Sequence, residues 1–464
     1  MEQIYNPYLP LYEHIPDGEP HVFGDRLYIY GSHDLACGKS FCEDNYAVWS
    51  APVDDLRDWR YEGVSYLRTQ DPSNANDIYQ LWAPDAAQGK DGRYYLYYCL
   101  SGMQEIGVAV SDKPAGPFAF YGHVHYADGR TLTEHFPFDP AVLVDDDGQI
   151  YLYYGQVIGG HDPRSGGFSS VVKLADDMLT ANEEPRPLVP GEEKAKGTSF
   201  EKHPFFEASS IRKDGDRYYF IYSSLLSHEL CYATSSRPDG DFTFGGTLIS
   251  NGDIGYEGRT KPVQRIGNTH GSIVKVKDQW YVFYHRQTGS NQFSRQGCAE
   301  PIEIKEDGSI PQVEMTSCGL NGSPLIATGS YPAAIACHLT DRHMPSEATL
   351  DENLMKDLAQ VTMRQNVTFI TNIKDRTKIG YKYFNFMDAD IMTIELRGKF
   401  FGKILVAHDE EGRQKIAEYE VQVNTSEWDT QILPIKPMSG KHALYFYFKG
   451  QGTLDMKGFA FVSA

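Results

Sequence analysis

The sequence predicts an all-β protein, a five-bladed β-propeller followed by a β-sandwich. Three observations lead there. A turn that runs into an aromatic strand recurs five times in the first two thirds of the chain, about 60 residues apart. Strands repeating at that period, with no helical pattern between them, are the mark of a propeller or array. Beyond Pro311 the repeat stops, a Gly/Ser/Pro-rich stretch intervenes, and strands resume without it.

The five aromatic strands are GDRLYIYGS (24–32), KDGRYYLYYC (90–99), DDGQIYLYYG (146–155), DGDRYYFIYSS (214–224) and KDQWYVFYHR (277–286). Their aligned tyrosines, Tyr28, Tyr95, Tyr151, Tyr219 and Tyr281, lie 67, 56, 68 and 62 residues apart. The turn dipeptides that open them, such as Asp147-Gly148, favour tight hairpins. A further alternating strand follows each: YAVWSAP (46–52), IGVAVSD (106–112), SVVKLAD (170–176), LCYATSS (230–236) and QGCAEPI (296–302). Outer strands such as KPAGPFAFYG (113–122) and RPDGDFTFGG (237–246) complete about four strands per repeat, so the propeller spans residues 1–315. A sandwich of the same length is the alternative, but its strands would not repeat their turn chemistry in register.

Ahead of each aromatic strand stands a polar residue: Asp17, Asp85, Asp139, Glu207 and His270, at 11, 10, 12, 12 and 11 residues from its tyrosine. The first strand of every propeller blade lines the central channel, so five equivalent positions would converge on one ring at its mouth. Clustered carboxylates push one another's pKa values apart, so that one stays protonated while another is ionised. An acid and a base on opposite sides of a bond is the arrangement of glycoside hydrolysis. The same residue types could instead hold Ca²⁺ or Mn²⁺, or each acid could cap its own strand through local hydrogen bonds. Five in register argue against the local explanation.

The motifs Asp17-x-x-x-HVF, WAPD (82–85), FDPAVLVDDDGQIYLYYG (138–155), FEASSIRKDGDRYYFIYSS (206–224) and HGSIVKVKDQWYVFYHR (270–286) resemble glycoside hydrolase family 43, over residues 5 to 310. The closest likeness is to members that act on arabinoxylan. The resemblance implies a five-bladed propeller, an inverting single displacement, Asp17 as general base, Glu207 as general acid, and Asp139 as the carboxylate that raises and orients that acid. It implies no required cofactor and allows a structural Ca²⁺ in the channel, held near His270 through water. Relatives read Asp-Pro at the first motif, whereas this chain reads Asp17-Gly18-Glu19-Pro20, which makes Glu19 a rival base. Trp82, Asp85, His270, Arg295 and Arg286 are the candidate substrate-binding residues, with His33 and Asp34 at the pocket border.

Residues 316–339 read as a linker or packed transition. Residues 340–464 read as a sandwich of some eight strands, from VTFITNI (367–373) to LDMKGFAFV (454–462). The stretch SGKHALYFYFKGQGTLDMKGFAFV resembles a family 6-type carbohydrate-binding module, and a purely structural sandwich is the alternative.

Bulk properties narrow the partners. A formal charge of −20 repels phosphate backbones and anionic lipids, which excludes nucleic acid and membrane surfaces. High aromatic content, 31 Tyr and 24 Phe, suits stacking on sugars. Seven cysteines without a CxxC pair argue against zinc and a disulfide framework, and Cys37 and Cys42 are the only pair near enough in sequence to suggest a bridge. The N-terminal stretch has neither a basic segment nor an apolar core of a signal peptide, so the expected location is cytoplasmic, with secretion the alternative if a leader precedes it. The expected activity is release of α-L-arabinofuranosyl residues from pentose-containing oligosaccharides of arabinoxylan or arabinan. β-D-Xylosidase, endo-arabinanase and a non-catalytic sugar-binding propeller follow in that order, and the oligomeric state is not legible.

Overall fold

A computed structural model describes residues 3–157, 166–349, 351–387 and 389–462. The regular structure of the described chain is almost entirely β, with only short helical turns, and no helix in it is long and apolar enough to cross a membrane. Five sheets carry the five repeats. Blade one is Glu19–Phe23, Arg26–Tyr30, Tyr46–Pro52 and Arg60–Tyr66 in antiparallel order, and blade two repeats the pattern from Leu81–Gln88 to Ala119–His123. Blade three is built on Ala141–Val144, Ile150–Tyr154 and Phe168–Leu174, and blade four runs from Phe205–Asp214 to Thr243–Ser250. Five apolar clusters fill the gaps between successive blades, the last joining blade five to blade one, so the ring is closed. The aromatic strands supply much of this packing: Tyr30, Tyr97, Tyr153 and Tyr222 are each at most 1 % exposed.

Blade five departs from the four-strand expectation. Its sheet holds three strands, Ile273–Val276, Gln279–Gln287 and Arg295–Ile302. The N-terminal segment lies along its free edge. Asn6 donates from Nδ2 to the Ala299 carbonyl at 2.9 Å and accepts the Ala299 amide at 3.0 Å, and the Tyr8 amide donates to Gly297. A side-chain amide thus pairs with both groups of one residue as a neighbouring strand would, and it satisfies an edge that would otherwise stay open.

The stretch 316–339 is no free linker. Leu325–Ile326, Gly329–Pro332 and His338–Thr340 each pair with strands of the C-terminal sheet, so the sandwich begins inside it. The sandwich strands are also longer than expected. Ile391–Ala407, Lys415–Pro434 and Ser439–Val462 each run continuously, over 17, 20 and 24 residues. Glycines in the first and third allow close approach within the sheet. A Cβ on Gly402 would meet the Lys449 carbonyl at 2.2 Å, and one on Gly450 would meet the Phe401 carbonyl at 2.4 Å.

The C-terminal unit sits on the propeller rather than apart from it. Arg286 reaches from blade five to the carbonyls of Ala334 and Ala336, Arg259 makes a bidentate pair with Glu410, and the Gly289 amide donates to Val361.

Candidate active site

The ladders place the ring residues in two tiers. Glu19 pairs with Tyr30, Asp85 with Tyr97, and Ala141 with Tyr153, so Glu19, Asp85 and Ala141 are structural equivalents. Two residues earlier stand Asp17, Ala83 and Asp139, all with positive φ, at 56°, 31° and 47°. This backbone conformation is costly for residues other than glycine and clusters at functional sites. It turns each of them out of the strand line at the channel mouth.

The blade-two acid is therefore out of register with the ring. Ala83, 12 residues ahead of Tyr95, occupies the ring position, and Asp85 lies one step deeper, fully buried. There it accepts from His21 Nε2 at 2.6 Å and from the Val142 amide at 2.8 Å. Its expected role at the substrate is corrected to bracing the channel. Glu19 shares this lower tier, with Arg212 Nη2 2.6 Å from its Oε2 and Ser210 donating at 3.1 Å. The two lower carboxylates are thus engaged by a guanidinium and an imidazole.

The upper tier faces a pocket of about 340 Å³ lined by Asp17, Asp139, Glu207, His270 and Arg295 among others. Glu19 does not line it. Asp17 receives Arg295 Nη1 at 2.8 Å, and its own amide donates to His285 Nδ1 at 3.3 Å. His285 passes its other nitrogen to the Asn268 carbonyl at 2.8 Å, and burial pushes its pKa down to about 3, so it stays neutral with the proton on Nε2. Burial pushes Asp17 up, but the charges of Arg295 and His270 outweigh it and hold the carboxyl below its ordinary range. Arg295 is 2 % exposed and is held on its other side by Asp34, at 2.9 Å from Nε. Asp34 therefore borders the pocket through Arg295. His33 instead pairs with Glu13 at 2.8 Å.

Glu207 and Asp139 shift the other way. Enclosure raises Glu207, with Asp17 adding to it, although Gln156 donates to its Oε2 at 2.7 Å and opposes the rise. Asp139 is 4 % exposed and is pushed well above its ordinary value by burial, and then by Glu207 and Asp17, against the pull of His270. Its Oδ2 accepts the Ala208 amide at 2.9 Å and lies 3.6 Å from His270 Nδ1. Both carboxyls thus resist ionisation. His270 is raised to about 9 despite burial because Glu19, Asp139 and Asp17 surround it, so it is cationic at neutral pH.

A directly bound calcium does not suit these residues. Ca²⁺ takes six to eight oxygens, whereas the grouping of Glu19, His21 and Asp85 offers two carboxylates already engaged by Arg212 and His21. His270 Nε2 and Glu19 Oε1, 3.7 Å apart, carry no hydrogen-bond partner among the described residues, so any ion here would meet them through water.

Trp82 also lines the pocket. Arg286 does not: it is buried against Ala334, Ala336 and Gln296 at the base of the C-terminal unit, which corrects its assignment to substrate. Sequence reasoning missed Phe41, Cys42, Gln156, Asn268 and Gln292, and it missed Phe138 and Phe206 although their signal was present. Trp82, Phe138 and Phe206 each immediately precede the ring position of their blade. Phe41 touches Arg295 through its ring face at 4.8 Å and Trp82 edge-on at 6.2 Å. All seven cysteines are free thiols, including Cys37 and Cys42.

The family model described as Glycosyl hydrolases family 43 matches residues 10–310. The chain is 46 % identical to a xylosidase/arabinosidase of Thermoclostridium stercorarium, over 99 % of this chain and 98 % of that one. It is 35 % identical to a xylosidase/arabinosidase of Bacteroides ovatus over 60 % of this chain and 87 % of the relative. A solved arabinoxylan arabinofuranohydrolase from Bacillus subtilis shares the fold at a TM-score of 0.52 and 21 % identity, across 99 % of this chain and 97 % of that one.

Proposed function

Because the chain belongs to glycosyl hydrolases family 43, we propose that it is an inverting glycoside hydrolase that releases terminal α-L-arabinofuranosyl residues from arabinoxylan-derived oligosaccharides. One observation carries the mechanism: two carboxyls lining one pocket are shifted in opposite directions, Asp17 downward beside Arg295 and Glu207 upward by enclosure. That division gives a base and an acid at the same pH.

Asp17, ionised, takes a proton from water as the water attacks the anomeric carbon. Glu207 gives its proton to the departing glycosidic oxygen, so the C–O bond breaks without expelling an alkoxide. The two carboxyls exchange protonation states and the anomeric configuration inverts. Asp139, on the same pocket wall, disfavours early ionisation of Glu207. His270 and Arg295 supply positive charge and donors toward the sugar hydroxyls, and Trp82 offers an apolar face for a pentose ring. Hydrolysis routed through these carboxyls takes no electron or group from a cofactor. A hydrated Ca²⁺, where bound, would meet His270 Nε2 and Glu19 Oε1 through its water shell.

β-D-Xylosidase activity is the second reading, supported by relatives whose names pair both activities. A proton NMR time course on arabinoxylo-oligosaccharides separates the two. Arabinose appearing first with inverted anomeric configuration is the expected result. Xylose alone would favour the second reading, and retained configuration would overturn the mechanism.

A further inference from the structure

The pocket is not made by the propeller alone. Ala348 and Thr349, from the segment that follows the strand His338–Thr340 of the C-terminal unit, line it beside Gln292. Gln292 is 6 % exposed and donates from Nε2 to the Thr349 carbonyl at 2.7 Å. The other end of the segment is anchored by Asp341, whose carboxylate accepts the amides of His343 and Ala359. The segment is thus pinned at both ends across the blade-five side of the mouth. Its depth is informative. Asp17, Asp139 and Arg295 are at most 5 % exposed, whereas Ala348 is exposed and Thr349 half-buried. In a pocket whose base, Asp17, lies at the floor while its acid, Glu207, is half-buried nearer the mouth, residues at the rim meet the part of the substrate that points to solvent. In exo-cleavage that part is the leaving saccharide.

We propose that Ala348 and Thr349 form a wall of the leaving-group subsite, so that the C-terminal unit selects which oligosaccharide carries the sugar to be released. The inference rests on the exo-glycosidase reading above. It assigns the C-terminal unit a role in the specificity of the reaction, distinct from docking sugars elsewhere. A small residue at position 348 leaves room for a second pentose ring, and a wall that touches only the departing saccharide discriminates between acceptors without altering bond cleavage in a substrate that lacks one.

The test compares two substrates in the full chain: α-L-arabinofuranosyl fluoride, whose leaving group is a single atom, and xylotriose bearing one α-L-arabinofuranosyl branch. The readout is the ratio of kcat/KM for the branched xylotriose to that for the fluoride, in wild type and in Ala348→Trp. The ratio should fall by about tenfold or more. Because it is taken within one preparation, partial misfolding cancels, and Ala348→Gln provides a smaller intrusion if the Trp variant does not fold. A ratio at the wild-type value overturns the proposal. So does equal loss on both substrates with an unchanged melting temperature, which would place the wall against the reacting sugar. Wild-type protein inactive on both substrates would instead overturn the exo-arabinofuranosidase reading on which the proposal rests.

Discussion

Arg295 holds Asp17 at 2.8 Å from Nη1 while Nε lies 2.9 Å from Asp34, so a single buried guanidinium spans two buried carboxylates. Removing it leaves both charges in a low-dielectric site. Arg295→Ala is expected to lower stability by about 3–5 kcal/mol and kcat/KM by about 100-fold or more. Because Arg295 depresses the Asp17 pKa, the acid limb of the residual pH–rate profile should move to higher pH. Denaturant melts and a pH profile of kcat/KM check both.

The upward shift of Glu207 and Asp139 predicts the alkaline limb of that profile. Asp139→Asn replaces a carboxylate with a neutral amide beside Glu207, so Glu207 ionises more readily and the alkaline limb should move to lower pH. An unmoved limb in the variant would dissociate Asp139 from the acid.

Glu207→Gln removes the transferable proton. The loss should be about 10²–10⁴-fold on oligosaccharides and much smaller on a glycosyl fluoride, whose leaving group needs little protonation. Equal losses on the two would sink the assignment of Glu207 as general acid.

Asp17 and Glu19 separate by phenotype. Asp17→Asn should reduce kcat by about 10³-fold or more with little change in melting temperature. Glu19→Gln leaves a buried amide where a carboxylate held half-buried Arg212, so its main effect should be on stability, on the order of 1–3 kcal/mol. Near-normal turnover in the Asp17 variant would return the base to Glu19.

Asp253 lies where the propeller meets the C-terminal unit, with its Oδ2 3.5 Å from His338 Nε2 and without a hydrogen-bond partner among the described residues. Burial raises it to about 7 in the folded state, above its ordinary 3.8. A raised folded pKa contributes stability that is complete below pH 3.8 and lost as pH rises through about 7. Asp253→Asn keeps an acceptor for the Met315 amide, which now donates at 2.8 Å, and removes the charge. It should stabilise the protein at pH 8 by on the order of 1–3 kcal/mol and add little at pH 4. Urea melts at the two pH values give the comparison.

Much of this was legible in the sequence, for identifiable reasons. The tyrosine strands repeat because every blade needs the same hairpin and the same inter-blade packing, and their period therefore gave the propeller. Asp17, Asp139, Glu207, His270 and Arg295 all reach the pocket because strand register carries a spacing in sequence into a position in space. Asp85 falls outside the ring because depth in the channel follows the ladder partner, here Tyr97, and not the distance to the aligned tyrosine. A two-residue offset keeps a side chain on the same face of the strand but moves it one tier down the channel. Arg286 misled because it sits on a pocket-forming blade, and only the docked C-terminal unit claims its hydrogen bonds.

Local repetition, hydrophobic alternation and turn chemistry are properties of short segments, so the sequence by itself determined the number of blades, the change of architecture near residue 310 and the residue types at the channel mouth. The tertiary structure decided which acids share a tier, which cations neutralise them, and that Ala348 and Thr349 join a pocket more than 50 residues away in the chain from Gln292. Those outcomes depend on contacts between segments with no common pattern. The pairing of Asp17 with Arg295, 278 residues apart, exists only once the ring of blades has closed.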